Sequence, residues 1–596
     1  VTPPPRFVAA GLSLGLGLAL APPLAAAPSA TVEGLTDGAL RSQIEQAVGE
    51  SKTAPRDSQE ARRRAAQAAR DAVSLLRSEG WYDGAAQADL AAAASGRAVV
   101  RVTAGPRFRL RAASIVWVGA APDAKARAAA EAALRLTPGA PGRAADILAA
   151  EGRAIASIRK LGYADAAIRP RTVIVDHADD SVTPTLQIAS GTRVRLGVVI
   201  TAGRSRTRSR WVARLAPWKR GDIYDPERLA KFEKRLLDTG AYESASTALA
   251  PPGVAPDAER NVTVTLVDRK PRSLELGAEY STTEGSGIDG KWTRYNRLGL
   301  GDSLILTARL YDIQQKLDLE QDLPDWGRPD QTLKVGGGFL GDRTAAYDDL
   351  GGGVRVDVVR RYDKTSSITL GEALDFASTR EKTAVNLLAT PVGETLNLFI
   401  ATTKAGFILD RSNSLFNPTR GWRLEGEADP TWITGDRTLG YVKTQMQLSG
   451  YQPLGGGWPV VAARLKLGSI WGGSIPGVPA DRRFFAGGGG SVRGYGYQAV
   501  GPRLSDNTPE GGLSLTEASI ELRQALSARW GVVAFADAGD VGSRALPTFG
   551  SLQEGVGVGV RYDLGFGPLR LDLATPIAPR AGDSRIQVYI SIGQAF

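Results

Sequence analysis

The chain has 596 residues, including 70 glycines, 11 tryptophans and 15 tyrosines, with a formal charge of +10, no cysteine and one histidine. That length implies several domains, and the absence of cysteine excludes a disulfide framework, Cys/His metal sites and any Cys–His or Ser–His machinery that His177 alone could not serve. The arginines are spread without interleaved aromatics, so the charge does not read as a nucleic-acid footprint; lumenal charge and contact with anionic lipid are the more economical explanations.

Residues 1–30 carry Arg6, an apolar run from Val8 to Ala21 and small residues up to Ala30. This is the order of a secretory signal peptide, with cleavage expected between Ala25 and Ala30. Beyond it no stretch approaches 18 consecutive apolar residues, so no transmembrane helix is expected. An exported chain of this kind is periplasmic, secreted or embedded as a barrel.

A phrase then recurs: Leu76 to Tyr82 around Gly80, Ile158 to Tyr163 around Gly162, and Leu236 to Tyr242 around Gly240, with the glycines 82 and 78 residues apart. A fixed period marks copies of one supersecondary unit. Each phrase closes a helical pattern: Leu229, Phe232, Leu236 and Leu237 share a face, and Gly240 supplies the stop. Strand-like pieces follow at Val99–Val102, Thr183–Ile188 and Val262–Val267, and alternating strands open the later copies at Ile115–Val118 and Val194–Ile200. The order β-α-α-β-β resembles the POTRA domain and predicts modules at 31–106, 107–190 and 191–270, the alanine-rich first copy matching least well. The bland reading of each Gly–aromatic phrase is a helix cap; open sheet edges are where such modules would accept a partner strand.

From about Arg272 helical spacing gives way to alternation. Leu569, Leu571 and Leu573 alternate with Arg570 and Asp572, and Ile586, Val588, Ile590 and Ile592 alternate with Gln587 and Ser591. One apolar and one charged face, strand after strand, suits a wall between lipid and a wet lumen. Segments at 273–283, 291–300, 304–318, 331–341, 350–361, 365–377, 380–391, 397–410, 422–432, 441–453, 458–471, 513–526, 530–538, 556–566, 569–577 and 585–596 predict a barrel of about sixteen strands over 271–596. The fold class is therefore α+β periplasmic repeats followed by an all-β transmembrane barrel.

The longest gap, about 472–512, holds Arg483-Phe484-Phe485-Ala486-Gly487-Gly488 and then Val492-Arg493-Gly494-Tyr495. Asp410-Arg411 through Pro418-Thr419-Arg420-Gly421-Trp422 precedes it; Ser519-Ile520-Glu521-Leu522-Arg523 and Phe535-Ala536-Asp537-Ala538-Gly539 follow. In this order the phrases resemble the Omp85 superfamily, with residues 472–512 as its sixth extracellular loop. The resemblance implies that the loop folds into the lumen and that Arg493 meets Asp537, with Glu521 as a second partner. It also implies a lateral gate near Gly593 and Phe596, beside the first strand, with Leu276 and Ile590 as trial facing positions. Three modules in this length resemble the TamA-type subunit of the translocation and assembly module. That implies an outer-membrane protein inserting nascent outer-membrane or autotransporter proteins, with an inner-membrane-anchored, periplasm-spanning TamB-like partner. A two-partner secretion transporter and a passive porin are the alternatives. No Gly-x-Ser-x-Gly elbow or P-loop occurs, so no catalytic residue, cofactor or metal is expected.

Overall fold

A computed structural model describes residues 27–51, 53–252, 258–363, 365–382, 393, 395–565 and 567–592. Most of the expected signal segment, and both Gly593 and Phe596, lie outside them. The described residues fall into two compact units, one within 1–197 with 219–228 and 251–260, the other 198–218 with 229–250 and 261–596.

The first unit contains two α+β modules. In the first, helices Gly38–Val48 and Ser58–Ser78 accompany a sheet ordered Thr31–Glu33, Val99–Thr103, Ala85–Ala88. Asp57 caps the long helix by accepting from the Glu60 amide at 2.7 Å. Ala61, Ala65, Ala68, Ala72 and Leu76 form its buried stripe, at three- and four-residue spacing. The alanine-rich stretch is thus an interior helix face, packed with Val32, Ile44, Val100 and Val102. In the second module helices Ala124–Leu134 and Ala144–Lys160 share a core with Phe108, Leu186 and Ile188, and Ala167–Asp176 pairs antiparallel with Ser181–Ala189. The recurring glycines sit at positive φ just past their helices, Gly80 at 92° and Gly162 at 106°. The following aromatics fold back, the Trp81 amide donating to the Leu76 carbonyl at 2.8 Å and that of Tyr163 to Ile158 at 3.3 Å, so the phrase is a Schellman-type cap. Because each of these modules has its own buried core, residues 31–190 should fold as a soluble fragment without detergent. Circular dichroism and a cooperative urea transition check this; a featureless, non-cooperative fragment would refute it.

A third set of elements, Val194–Ala202, helices Ser209–Arg214 and Pro226–Asp238, and the antiparallel pair Tyr242–Leu249 and Ala258–Asp268, is divided between the units.

Among the described residues of the second unit sixteen antiparallel strands close into a barrel. They are β1 (Arg272–Ser281), β2 (Gly285–Tyr295), β3 (Ser303–Tyr311), β4 (Gln314–Leu323), β5 (Gln331–Arg343), β6 (Tyr347–Arg361), β7 (Ser367–Glu381), β8 (Thr395–Asp410), β9 (Gly421–Gly435), β10 (Leu439–Pro453), β11 (Val460–Trp471), β12 (Ser514–Ala525), β13 (Trp530–Gly542), β14 (Gln553–Asp563), β15 (Pro568–Pro576) and β16 (Gln587–Ile592). The expected number is matched, although the segments are divided differently. The segment 304–318 is really two strands, β3 and β4, around a tight turn at 312–313. Where a separate strand was expected at 380–391, β7 instead runs to Glu381 and residues 383–392 lie outside the described ones. Alternation alone registers neither a two-residue turn such as Asp312-Ile313 nor a strand longer than average.

Leucines 569, 571 and 573 point outward and exposed, while Arg570 and Asp572 are buried inside, because successive side chains of a strand face opposite sides. Within this unit the Asn296 amide side chain, on the β2–β3 turn, donates to Thr207 Oγ1 at 2.7 Å, and the Arg208 amide donates to the Gly299 carbonyl at 2.9 Å.

Candidate functional site

The β11–β12 connection, 472–513, folds back into the barrel. Val478, Phe484, Ala486, Val492, Tyr495 and Val500 of this loop share one buried cluster with wall residues such as Leu398, Tyr441 and Val541. An apolar core inside a lumen whose wall is otherwise polar gives the loop its fixed seat.

Arg493 of this loop is buried, with 1% of its surface exposed. Its Nε and Nη2 donate to the two Asp537 oxygens at 2.6 and 2.9 Å, and its own amide donates to Asp537 at 3.1 Å. Nη1 donates to Glu521 at 2.7 Å and to Asp572 at 3.2 Å, and the guanidinium stacks over Phe535, 3.5 Å from the ring centre. The fork thus meets one carboxylate side-on, two more at its tip, and an aromatic face, which only a planar guanidinium can do. Arg523 donates to the other Glu521 oxygen at 2.8 Å, and Arg561 donates to Asp572. Arg570 Nε sits 2.8 Å from Asp572 as a charge neighbour but is not aligned to hydrogen-bond it; its Nη2 instead donates to the Gly489 carbonyl at 3.0 Å. Four arginines therefore share three carboxylates, and each buried charge has an opposite one beside it.

Of the sequence-derived residues, the structure brings Val492, Arg493, Gly494, Tyr495, Glu521, Phe535, Asp537 and Gly539 together at this place. Gly539 faces Val492: a Cβ there would come within 2.5 Å of its side chain. Gly494 has φ +100°, and a Cβ added at Gly555 would lie 2.0 Å from the Arg493 carbonyl. The loop backbone therefore runs against the bare backbone of the wall. Gly555→Ala should lift the loop from its seat and destabilise the barrel by about 1–3 kcal/mol, the range for overpacking. Faster trypsin cleavage after Arg493 in the folded protein is the readout; unchanged protection would show that the close approach is dispensable.

Sequence reasoning passed over three features. Asp572 with Arg561 was legible only as inward parity, because which inward residues meet depends on strand register. Arg483 forms a second anchor: Nη2 donates to both Glu381 oxygens at 3.1 Å, and Nε and Nη1 donate to the Val478 and Glu510 carbonyls at 2.9 and 3.0 Å. Glu381 closes β7, so the loop is pinned on one side by β7 and on the other by β12, β13 and β15. The loop also touches both sides of the seam. The Gly489 amide donates to Glu284 at 3.2 Å, in the β1–β2 turn, and the Gly494 amide donates to the Tyr589 hydroxyl of β16 at 3.2 Å.

At the seam β1 is paired with β2 along its whole length, but with β16 only at Tyr280–Ile590 and Ser281–Tyr589 among the described residues. Ile590 therefore faces Tyr280, not Leu276; the trial register was four residues off because hydrophobic alternation fixes parity and not offset.

A sixteen-stranded barrel with a long loop pinned in its lumen by a buried arginine, preceded by α+β repeats, defines a class of outer-membrane barrel proteins. The profile of the Omp85 superfamily domain matches residues 296–596, and the chain belongs to that superfamily. It is 20% identical over 70% of its length to the outer membrane protein assembly factor BamA of Neorickettsia risticii, and 23% identical over 69% to that of Neisseria meningitidis serogroup B. The chain spans 57% and 58% of those relatives. The crystal structure of BamA from Haemophilus ducreyi lacking POTRA domains 1-3 has the same fold, with a TM-score of 0.69 at 19% identity over 81% of this chain and all of that one. The protein is an outer-membrane β-barrel with its N-terminal repeats in the periplasm.

Proposed function

We propose that this barrel inserts other β-barrel proteins into the outer membrane, and that the β1–β16 seam is the place where it does so. The observation that carries the reading is the short ladder between β1 and β16. Backbone N–H and C=O groups without partners cost several kcal/mol each in hydrocarbon, so the β1 edge from Arg272 to Glu279, which β16 does not pair among the described residues, is a template for an incoming strand. A client hairpin pairing there trades an unsatisfied edge for a ladder, and folding of the client supplies the drive. The luminal loop bonded to Glu284 and Tyr589 would hold the two seam strands in place between rounds. The BamA relatives, named as outer membrane protein assembly factors, support the same activity.

On this reading the periplasmic part comprises three POTRA modules, 31–106, 107–190 and 191–270, that receive clients or a partner by strand addition. Three modules suit a TamA-type subunit acting on nascent outer-membrane or autotransporter proteins beside an inner-membrane-anchored, periplasm-spanning TamB-like partner. The test is reconstitution into lipid vesicles and measurement of protease-protected, heat-modifiable client barrels. Insertion well above protein-free vesicles is expected; vesicles that gain steady ion conductance but insert no client would identify a porin instead.

A further inference from the structure

Among the described residues, the outward face of the barrel carries a charged group at mid-depth, where it does not belong in lipid. On β7 the positions whose side chains meet the inward loop are odd: Asp375 lies 4.0 Å from Arg482, and Thr379 donates to Asp481 at 3.3 Å. Even positions therefore face the bilayer: Ile368, Leu370, Glu372, Leu374 and Phe376, all exposed. Glu372 is the middle of that band. Across the ladder it pairs with Thr403 on β8, the midpoint of the facing band from Phe399 to Phe407. Thr403 Oγ1 donates to the two Glu372 oxygens at 2.9 and 3.1 Å. No cation lies within ion-pair distance of Glu372 among the described residues. Lys404, next in sequence to Thr403, has the opposite parity and lines the luminal cavity with Lys334 and Glu425. By strand register, the other described charges on the outward face, such as Arg294, Arg343, Arg360, Arg380, Asp348 and Glu554, stand at strand ends.

A second feature coincides with this one. The β8–β9 ladder lapses between Thr402–Thr431 and Ala405–Ala428, where Pro430 on β9 has no N–H to give. The stretch bearing Thr403 thus has fewer backbone donors than an unbroken ladder would offer it. A carboxyl and a thinned ladder at mid-depth are both acceptors, and Thr403 supplies a single hydroxyl proton.

We propose that Glu372 and Thr403 form a docking point for a membrane-embedded segment of another protein that carries a lysine or arginine at mid-depth. Charge complementarity selects the occupant: a carboxylate in hydrocarbon is stable only when a cation or donors meet it. Lipid does not supply them there, since acyl chains have no donor and headgroup amines lie about 15 Å away, half the hydrocarbon thickness. Beside the pair, Leu374, Phe376, Phe399, Ala401 and Trp432 line an apolar hollow on the same face, against which the body of a spanning segment can lie. This site is on the wall far from the seam in strand order, and it stands whether or not the barrel inserts clients.

The test uses the full chain in phosphatidylcholine vesicles with a donor dye on a single cysteine at Thr438, an exposed turn residue of a chain without cysteine. The probes are acceptor-labelled leucine–alanine helices of about 20 residues, long enough to span, with lysine, serine or leucine at the centre. The lysine helix should associate roughly three- to twentyfold more tightly than the leucine helix, the range of single polar contacts in bilayers. Glu372→Gln and Glu372→Leu should both abolish that preference; each removes a charge from a lipid-facing position, so the folded barrel, read by its unheated gel migration, should survive. Equal binding of the lysine and leucine helices, a serine helix that matches the lysine one, or a preference that persists in Glu372→Gln would each overturn the proposal.

Discussion

Arg493→Ala should destabilise the folded barrel by about 3–5 kcal/mol, the cost of removing one partner from a buried ion pair. The substitution leaves Asp537 without its bidentate donor and Glu521 and Asp572 without the cation that reaches both. Arg523 and Arg561 still serve Glu521 and Asp572, so the loss falls chiefly on Asp537, whose remaining side-chain donor is Ser519. Arg493→Lys should recover little: one ammonium cannot face both Asp537 oxygens and reach Glu521, nor stack on Phe535. Asp537→Ala should cost a comparable amount, and the double variant Arg493→Ala/Asp537→Ala should be no worse than either alone, because the second change removes an orphaned charge. Urea titration of the detergent-folded barrel, followed by its gel migration, measures all four variants. Additive losses would show that the two side chains do not hold each other.

Locking the seam should abolish client insertion. Tyr280 and Ile590 stand directly opposite on β1 and β16, at a Cα separation of about 5 Å in an antiparallel pair, which a disulfide spans. The variant Tyr280→Cys/Ile590→Cys, oxidised, should insert clients into vesicles no faster than protein-free lipid, and reduction should restore the rate. Both side chains face lipid, so the bond leaves Tyr589 free to hold Gly494. A cross-link placed instead at Leu276 and Ile590 would join positions four residues out of register and test nothing about the gate. A locked barrel that inserts at the unlocked rate would mean that clients enter elsewhere.

Much of this molecule was legible before any coordinates. Gly80, Gly162 and Gly240 marked helix ends because only a residue free to take positive φ continues into the back-folded aromatic. Leu569 to Leu573 declared a two-faced wall because the strand repeat is two residues and the two solvents differ. The phrase around Arg493 pointed to Asp537 by resemblance, not by physics. The same reasoning missed the turn between β3 and β4, since Asp312 and Ile313 interrupt the alternation no more than an ordinary strand irregularity does.

Local periodicity determined the element types, the repeat and the side of the wall each residue takes, because these depend on φ, ψ and hydropathy within a few neighbours. Offsets between strands, and everything built on them, were decided by tertiary structure. Tyr280 rather than Leu276 faces Ile590, Glu381 meets Arg483 across 102 residues of chain, and Asp572 joins the arginine cluster from a strand that sequence alone could have slid by two. A slip of two residues preserves parity and burial of every side chain. Only the simultaneous pairing of all sixteen strands, with the loop seated inside them, removes that freedom.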